Sequence, residues 1–153
     1  MKSILKGDKC PDFSLLNQDG ERIEIADLIG KKILVIYFYP KDNSWGCTKQ
    51  ACSFQESQQD FLDLDCTVIG ISSDSVLSHK TFSDERHLKF MLLSDIKDEV
   101  RTMFGVPASF FGLIKGRVTY IVDKNGIVQG VYNSQVNATN HIPKAIEIIK
   151  SIK

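Results

Sequence analysis

The chain of 153 residues carries 19 basic and 19 acidic side chains, and is 42% hydrophobic and 25% charged. The balanced charge excludes an electrostatic grip on nucleic acid or anionic lipid. No apolar run approaches the roughly 18 residues that a membrane span needs.

This length predicts one domain over 1–153, with enough interior to fold without disulfide staples. The opening "MKSILKGDKCPDF" has no apolar core segment, so no signal peptide is expected and the default location is cytoplasmic. In a reducing compartment cysteines are catalytic, metal-binding or inert rather than stably bridged. The sequon at Asn137–Thr139 is then idle.

In chain order, "DFSLLNQ", a turn at Asp19-Gly20 and "ERIEIADLI" predict an N-terminal β-hairpin, with polar/apolar alternation over Arg22–Ile25. "ILVIYFY", Ile33–Tyr39, is a β-branched and aromatic run that predicts a strand buried on both faces. Pro40 ends it. From Thr48 to Leu64, Ala51, Phe54, Gln58, Phe61, Leu62 and Leu64 predict one amphipathic helix. "CTVIGIS" is a second buried strand, followed by a helix capped near Asp74 or Ser75. "FMLLSD" is a short strand and "IKDEVRTMFGV" a helix stopped near Gly105. "RVTYIVD", Arg117–Asp123, is a strand turned by Asn125-Gly126 into "IVQGVYN". Ile142, Ala145, Ile146, Ile149 and Ile152 sit at helical spacing in the tail. Together these predict an α/β, thioredoxin-like fold: a central mixed sheet flanked by helices, with an N-terminal hairpin extension.

The chemistry concentrates in "YFYPKDNSWGCTKQACSF". A buried strand, Pro40, a loop, Cys47 and an amphipathic helix follow one another, so Cys47 falls at a helix N-terminus. Free backbone N–H groups and the helix dipole favour an anion there, which is the setting of a reactive thiolate. Ser44, three residues before, puts a hydroxyl within reach of the sulfur and of an incoming oxygen. Pro40 fixes φ and offers no N–H, so it can wall the loop. Cys52 lies five residues beyond Cys47. In an intact helix that is about 140° around the axis, and a disulfide needs Cα atoms within about 7 Å. A bridge between them therefore requires the first turns to unwind. From the residues alone, a pair of buried small side chains, two metal ligands, or a nucleophile and its partner all stay open.

"YPKDNSWGCTKQACSF" resembles the signature of peroxiredoxins, and in particular the bacterioferritin-comigratory, or peroxiredoxin Q, branch. "GDKCPDFSLLNQDG", "VIGISSDS", "LLSD" and "GRVTYIVDKNGIV" extend the resemblance over nearly the whole chain. It implies a thiol-dependent peroxidase that needs no cofactor or metal and reduces hydrogen peroxide and organic hydroperoxides. Cys47 would be the peroxidatic cysteine, Arg117 the cation holding thiolate and peroxide, and Ser44 and Pro40 parts of the pocket. Cys52 would resolve the sulfenic acid as an intramolecular Cys47–Cys52 disulfide, recycled by thioredoxin or a similar dithiol. A monomer is expected, with a weak dimer as the other state. The chain departs from the pattern at Ser44 for Thr, Trp45 for Pro and Gln50 for Glu; the last removes a negative charge beside the thiol.

Other readings are weaker. Cys10 and Cys66 are expected to be spectators, and His79, His87 and His141 to occupy polar or helix-edge positions. Phe110, Phe111 and Leu113 are either core or a contact patch. A protein disulfide oxidoreductase would normally show Cys-x-x-Cys, and a redox or zinc-binding module would need convergent ligands; both stand as alternatives.

Overall fold

The computed structural model describes residues 3–109 and 114–153. Phe110, Phe111 and Leu113 lie outside the described residues. Among the described residues, seven strands form one mixed sheet in the order β2-β1-β5-β4-β3-β8-β9. The strands are β1 (Ser14–Asn17), β2 (Arg22–Glu24), β3 (Ile33–Phe38), β4 (Cys66–Ser72), β5 (Met91–Ser94), β8 (Val118–Val122) and β9 (Val128–Asn133). A separate short pair joins β6 (Ala108–Ser109) to β7 (Ile114–Lys115). The helices are α1 (Ile25–Leu28), α2 (Trp45–Glu56), α3 (Gln58–Asp63), α4 (Val76–Arg86), α5 (Glu99–Phe104) and α6 (His141–Ser151), the last preceded by a 3-10 turn at Ala138–Asn140. The arrangement is the expected thioredoxin-like one, with β1 and β2 as the N-terminal hairpin.

β3 is the axis of the molecule. It pairs parallel with β4 and antiparallel with β8, and every one of its residues is buried. Alternation sends Ile33, Val35 and Tyr37 into one apolar layer and Leu34, Ile36 and Phe38 into the other. The first layer is closed by Ala51 and Phe54 of α2, Phe61 of α3, Phe82 of α4 and Ile142, Ala145 and Ile149 of α6. Tyr37 stacks on Phe54 at 4.5 Å between ring centroids. The second layer is closed by Ile25, Val100 and Phe104. A residue-by-residue apolar run is what a strand covered on both faces requires.

Four expectations are corrected in detail. The strand expected through "ERIEIADLI" ends at Glu24, and Ile25 starts a single helical turn that carries it into the interior at 0% exposure. The single helix expected over Thr48–Leu64 starts at Trp45, because Ser44 caps it, and is broken at Ser57 into α2 and α3. Leu62, placed on the apolar stripe, is exposed. Arg117 lies one residue outside β8 rather than on it. The caps near Ser75 and Gly105 fall as expected; Gly105 takes φ 62°, the left-handed C-cap that glycine adopts without a Cβ clash.

Candidate active site

The segment after β3 builds the site. Tyr39 still donates its N–H to Ile71 O. Pro40, half-buried, then turns the chain away from the sheet. Asn43 takes φ 63°, a left-handed conformation that Asn tolerates. This reversal delivers Ser44 as the N-cap of α2, its hydroxyl accepting from Cys47 N at 3.4 Å and donating to Lys41 O at 3.1 Å. The hydroxyl expected to reach the sulfur thus hydrogen-bonds to backbone. Cys47 is the third residue of α2 and 1% exposed. Its sulfur lies in the first turn, where backbone N–H groups lack intrahelical acceptors and the dipole favours negative charge.

Arg117, just before β8, reaches this sulfur. Its Nη1 donates to Cys47 Sγ at 3.3 Å and to Gln50 Oε1 at 2.6 Å, while Nε donates to Gln135 O at 3.2 Å. The side chain is 4% exposed, not the surface cation that an isolated strand arginine would be. The glycine at position 46 makes room for it: a Cβ there would lie 3.1 Å from Arg117 Nη2. Gln50 is fully buried. Because a guanidinium only donates, the amide must turn its oxygen to Arg117, leaving Gln50 Nε2 without a partner among the described residues. The residue anticipated to lie near the thiol is therefore in contact with the arginine that holds it.

Cys52 lies in the middle of α2, half-buried. The four cysteines are all unbonded. Cys10 and Cys66 are buried with their sulfurs donating to the backbone carbonyls of Pro11 and Leu64, and burial pushes their thiols up to about 12 and about 11. Trp45, the first residue of α2, is 78% exposed. Lys49 Nζ sits 4.7 Å from its ring centroid, a cation–π contact. Trp45 and Lys49 border an open groove with Val136, Asn137 and Thr139.

Two histidines correct the sequence reading, for His79 and His141 are completely buried. His79 Nδ1 lies 2.7 Å from Asp42 Oδ2 and Nε2 lies 3.0 Å from Leu93 O. Asp42 also accepts from Tyr39 Oη at 2.6 Å and Ser78 Oγ at 2.9 Å, and its own N–H donates to Asp74 at 2.8 Å. This network ties the Pro40–Ser44 loop to α4 and β5. Asp42, Asp74 and His79 are also close enough to share an ion; among the described residues Asp42 and Asp74 Oδ2 accept these hydrogen bonds. His79 shares a helix face with Phe82 and Ser83 at i+3 and i+4, and that spacing was the signal available in the sequence. His141 Nε2 faces Ser134 O at 2.8 Å and Nδ1 faces Thr119 Oγ1 at 2.8 Å. The carbonyl requires a proton on Nε2, so Nδ1 accepts from Thr119. Burial lowers the His141 pKa to about 4, with the positive charge of Arg117 acting in the same direction.

Comparison with known proteins follows the same lines. Residues 6–131 match the AhpC/TSA family. The chain is 44% identical over 150 residues to a chloroplastic peroxiredoxin Q of Sedum lineare, covering 98% of this chain and 80% of that one. It is also 44% identical to peroxiredoxin Q of Oryza sativa subsp. japonica over 149 residues, 97% of this chain and 68% of the relative. Among solved structures, peroxidoxin BcpB from Mycobacterium tuberculosis superposes with a TM-score of 0.90 at 30% identity, covering 98% of this chain and 99% of that one. The bacterioferritin comigratory protein of Xanthomonas campestris, described for alkyl peroxide reduction, gives 0.84 at 25% identity and 99% coverage of both chains.

Proposed function

The chain belongs to the AhpC/TSA family and is a thiol-dependent peroxidase, and from that premise we propose that Cys47 is the peroxidatic cysteine and Cys52 its resolving partner. Family membership selects the peroxidase over a protein disulfide oxidoreductase or a redox or zinc module. The observation that carries the residue assignment is the hydrogen bond from the buried Arg117 guanidinium to Cys47 Sγ, 3.3 Å long. A permanently charged donor stabilises negative charge on sulfur, and the thiolate is the nucleophile.

In the first step the Cys47 thiolate attacks the terminal oxygen of a hydroperoxide. An S–O bond forms as the O–O bond breaks, the sulfur loses two electrons to the peroxide, and the departing alkoxide or hydroxide takes a proton. The free N–H groups of the first turn of α2 and the remaining donors of Arg117 face the oxygens on which charge develops. Ser44 holds that turn by capping it, and Pro40 turns the chain into it. In the second step Cys52 attacks the sulfenic sulfur, an S–S bond replaces S–O, and water leaves. Because both cysteines lie on one helix, α2 must unwind before this step. A dithiol then restores both thiols by exchange.

The substrate is a peroxide and the recycling agent a thiol. Their finer identities are part of the proposal: hydrogen peroxide and organic hydroperoxides as substrates, as the alkyl peroxide activity named for the Xanthomonas protein supports, and thioredoxin or a similar dithiol as reductant. The same proposal takes 1–153 as one folded unit acting as a monomer. A cytoplasmic site of action also belongs here, since the plant relatives are designated chloroplastic and location does not follow from family. No described helix is long and apolar enough to cross a membrane.

Peroxide consumption coupled to thioredoxin and its reductase tests the assignment. Cys47→Ser is expected to abolish turnover. Cys52→Ser is expected to give one stoichiometric oxidation without recycling, and mass spectrometry of the oxidised wild type should show a Cys47–Cys52 bridge. Sustained turnover by the Cys47→Ser protein would falsify the proposal.

A further inference from the structure

Arg101, in α5, is a second buried guanidinium near the site, 7% exposed, and the chemistry above does not use it. Its Nη2 donates to Tyr39 O at 2.9 Å and its Nη1 to Gly116 O at 2.9 Å. Tyr39 immediately precedes Pro40, and Gly116 immediately precedes Arg117. The β3–β8 register ends at Phe38↔Val118, so both carbonyls lie just past the last paired residues. The guanidinium spans the place where the ladder stops.

Arg101 is itself held firmly. The Asp95 carboxylate accepts from the amides of Val100 at 3.1 Å and Arg101 at 2.9 Å. Asp98 Oδ1 lies 3.8 Å from Arg101 Nε, and the guanidinium sits 5.6 Å from the Phe38 ring centroid. Gly116 is fixed as well, since a Cβ there would fall 1.8 Å from Pro107 O. Burial pulls the Arg101 pKa down, and Asp98, Asp95, Tyr120 and Cys47 oppose that pull. A buried cation whose fork is spent on two neutral carbonyls is a costly way to close a sheet. It does, however, set the distance between two chain segments rigidly, which a point-charge lysine cannot do.

We infer that Arg101 is a positioning residue, whose fork holds the start of the Cys47 loop and the residue before Arg117 at the separation from which Arg117 reaches the Cys47 sulfur. The inference rests on the reading of Arg117 as the partner of the Cys47 thiolate. It makes Arg101 act through Arg117, and that coupling can be measured.

The experiment follows the first oxidation of reduced protein by hydrogen peroxide, by stopped flow, in wild type, Arg101→Met, Arg117→Met and the double variant. Misplacing a reacting group by about 1 Å costs up to about a hundredfold, so Arg101→Met is expected to slow the wild type by about tenfold or more. In the Arg117→Met background the same substitution is expected to change the rate by less than about twofold, because coupled residues are not additive. Equal losses in both backgrounds, or no loss in either, overturn the inference alone. A rate unchanged by Arg117→Met overturns the Arg117 reading and the inference with it. If Arg101→Met does not fold, Arg101→Lys replaces it in the same cycle. It retains the charge but reaches one carbonyl, and a loss confined to the background with Arg117 supports the inference. Additive losses again overturn it.

Discussion

Cys47 and Cys66 are buried to the same degree, each 1% exposed, yet they sit in opposite chemical surroundings. Cys66 starts β4 opposite Ile33, at the amino end of the parallel β3–β4 pair. Its sulfur faces a carbonyl, Leu64 O at 3.5 Å, toward which only a protonated thiol can donate. Cys47 lies beyond the carboxyl end of β3, where α/β sheets place their ligand sites. Its sulfur accepts from Arg117 and lies in the first turn of a helix. Burial by itself therefore says nothing about reactivity; the sign of the neighbouring partial charges does.

The two thiols differ most in their expected rates of alkylation in the reduced protein at pH 7.5. With the Cys66 thiol near 11, its thiolate fraction is about 3 × 10⁻⁴. Peptide mapping is expected to find Cys47 modified well before Cys66 or Cys10. Modification of Cys66 at the same rate would refute the contrast. Next in size, Arg117→Met removes the donor that distinguishes the two sulfurs. Loss of one preorganised donor to a developing anion costs about 10²–10³ in rate, and peroxide reduction should fall by that order. A change smaller than about threefold would show that the helix turn suffices without it.

A third test uses His141, which is buried among neutral partners beside Arg117. Its pKa is lowered from 6.5 to about 4 in the folded chain, so the unfolded chain binds the extra proton first. Its contribution to stability is present above pH 6.5 and is lost as pH falls through about 4, by up to roughly 3 kcal/mol. Urea unfolding at a series of pH values should show stability declining through that window, with a flatter profile in His141→Gln. An equally steep profile in the variant would assign the decline to other groups.

Smaller effects sharpen the picture. Gln50→Glu places a carboxylate on the guanidinium that serves Cys47, so the two anions compete for one cation. Peroxide oxidation of Cys47 is expected to slow severalfold; an unchanged or faster rate would mean that the neutral amide is not part of the tuning. The smallest effect expected is optical. Trp45 is already solvent-exposed, so unwinding α2 should change the intensity of its emission, through loss of the Lys49 contact, more than its wavelength. Identical spectra for the reduced and disulfide forms would mean that the first turn stays intact.

Much of the molecule was legible in one dimension. Ile33–Phe38 could only be a strand covered twice, the Asn125-Gly126 turn could only fold β9 back on β8, and the run from Pro40 to Cys52 announced a thiol at a helix start. Local patterns carry such information because period, turn chemistry and capping act over a few residues. Some side chains find partners that a short-range pattern does not show. Ser44, expected within reach of the sulfur, gives its hydroxyl to backbone groups as the cap of α2. His79 and His141, expected in polar or helix-edge positions, are fully buried because each lies on the covered face of its helix.

Side-chain periodicity and backbone chemistry suffice to specify a central strand covered on both faces, an N-terminal hairpin and a sulfur at the head of a helix. Tertiary packing brings Arg117 to Cys47 across 70 residues of chain, lets Gln50 share its guanidinium, and anchors the segments carrying them through Arg101 and Asp42. Those contacts depend on where strands end and how elements stack. No short-range pattern encodes a distance between side chains so far apart along the chain.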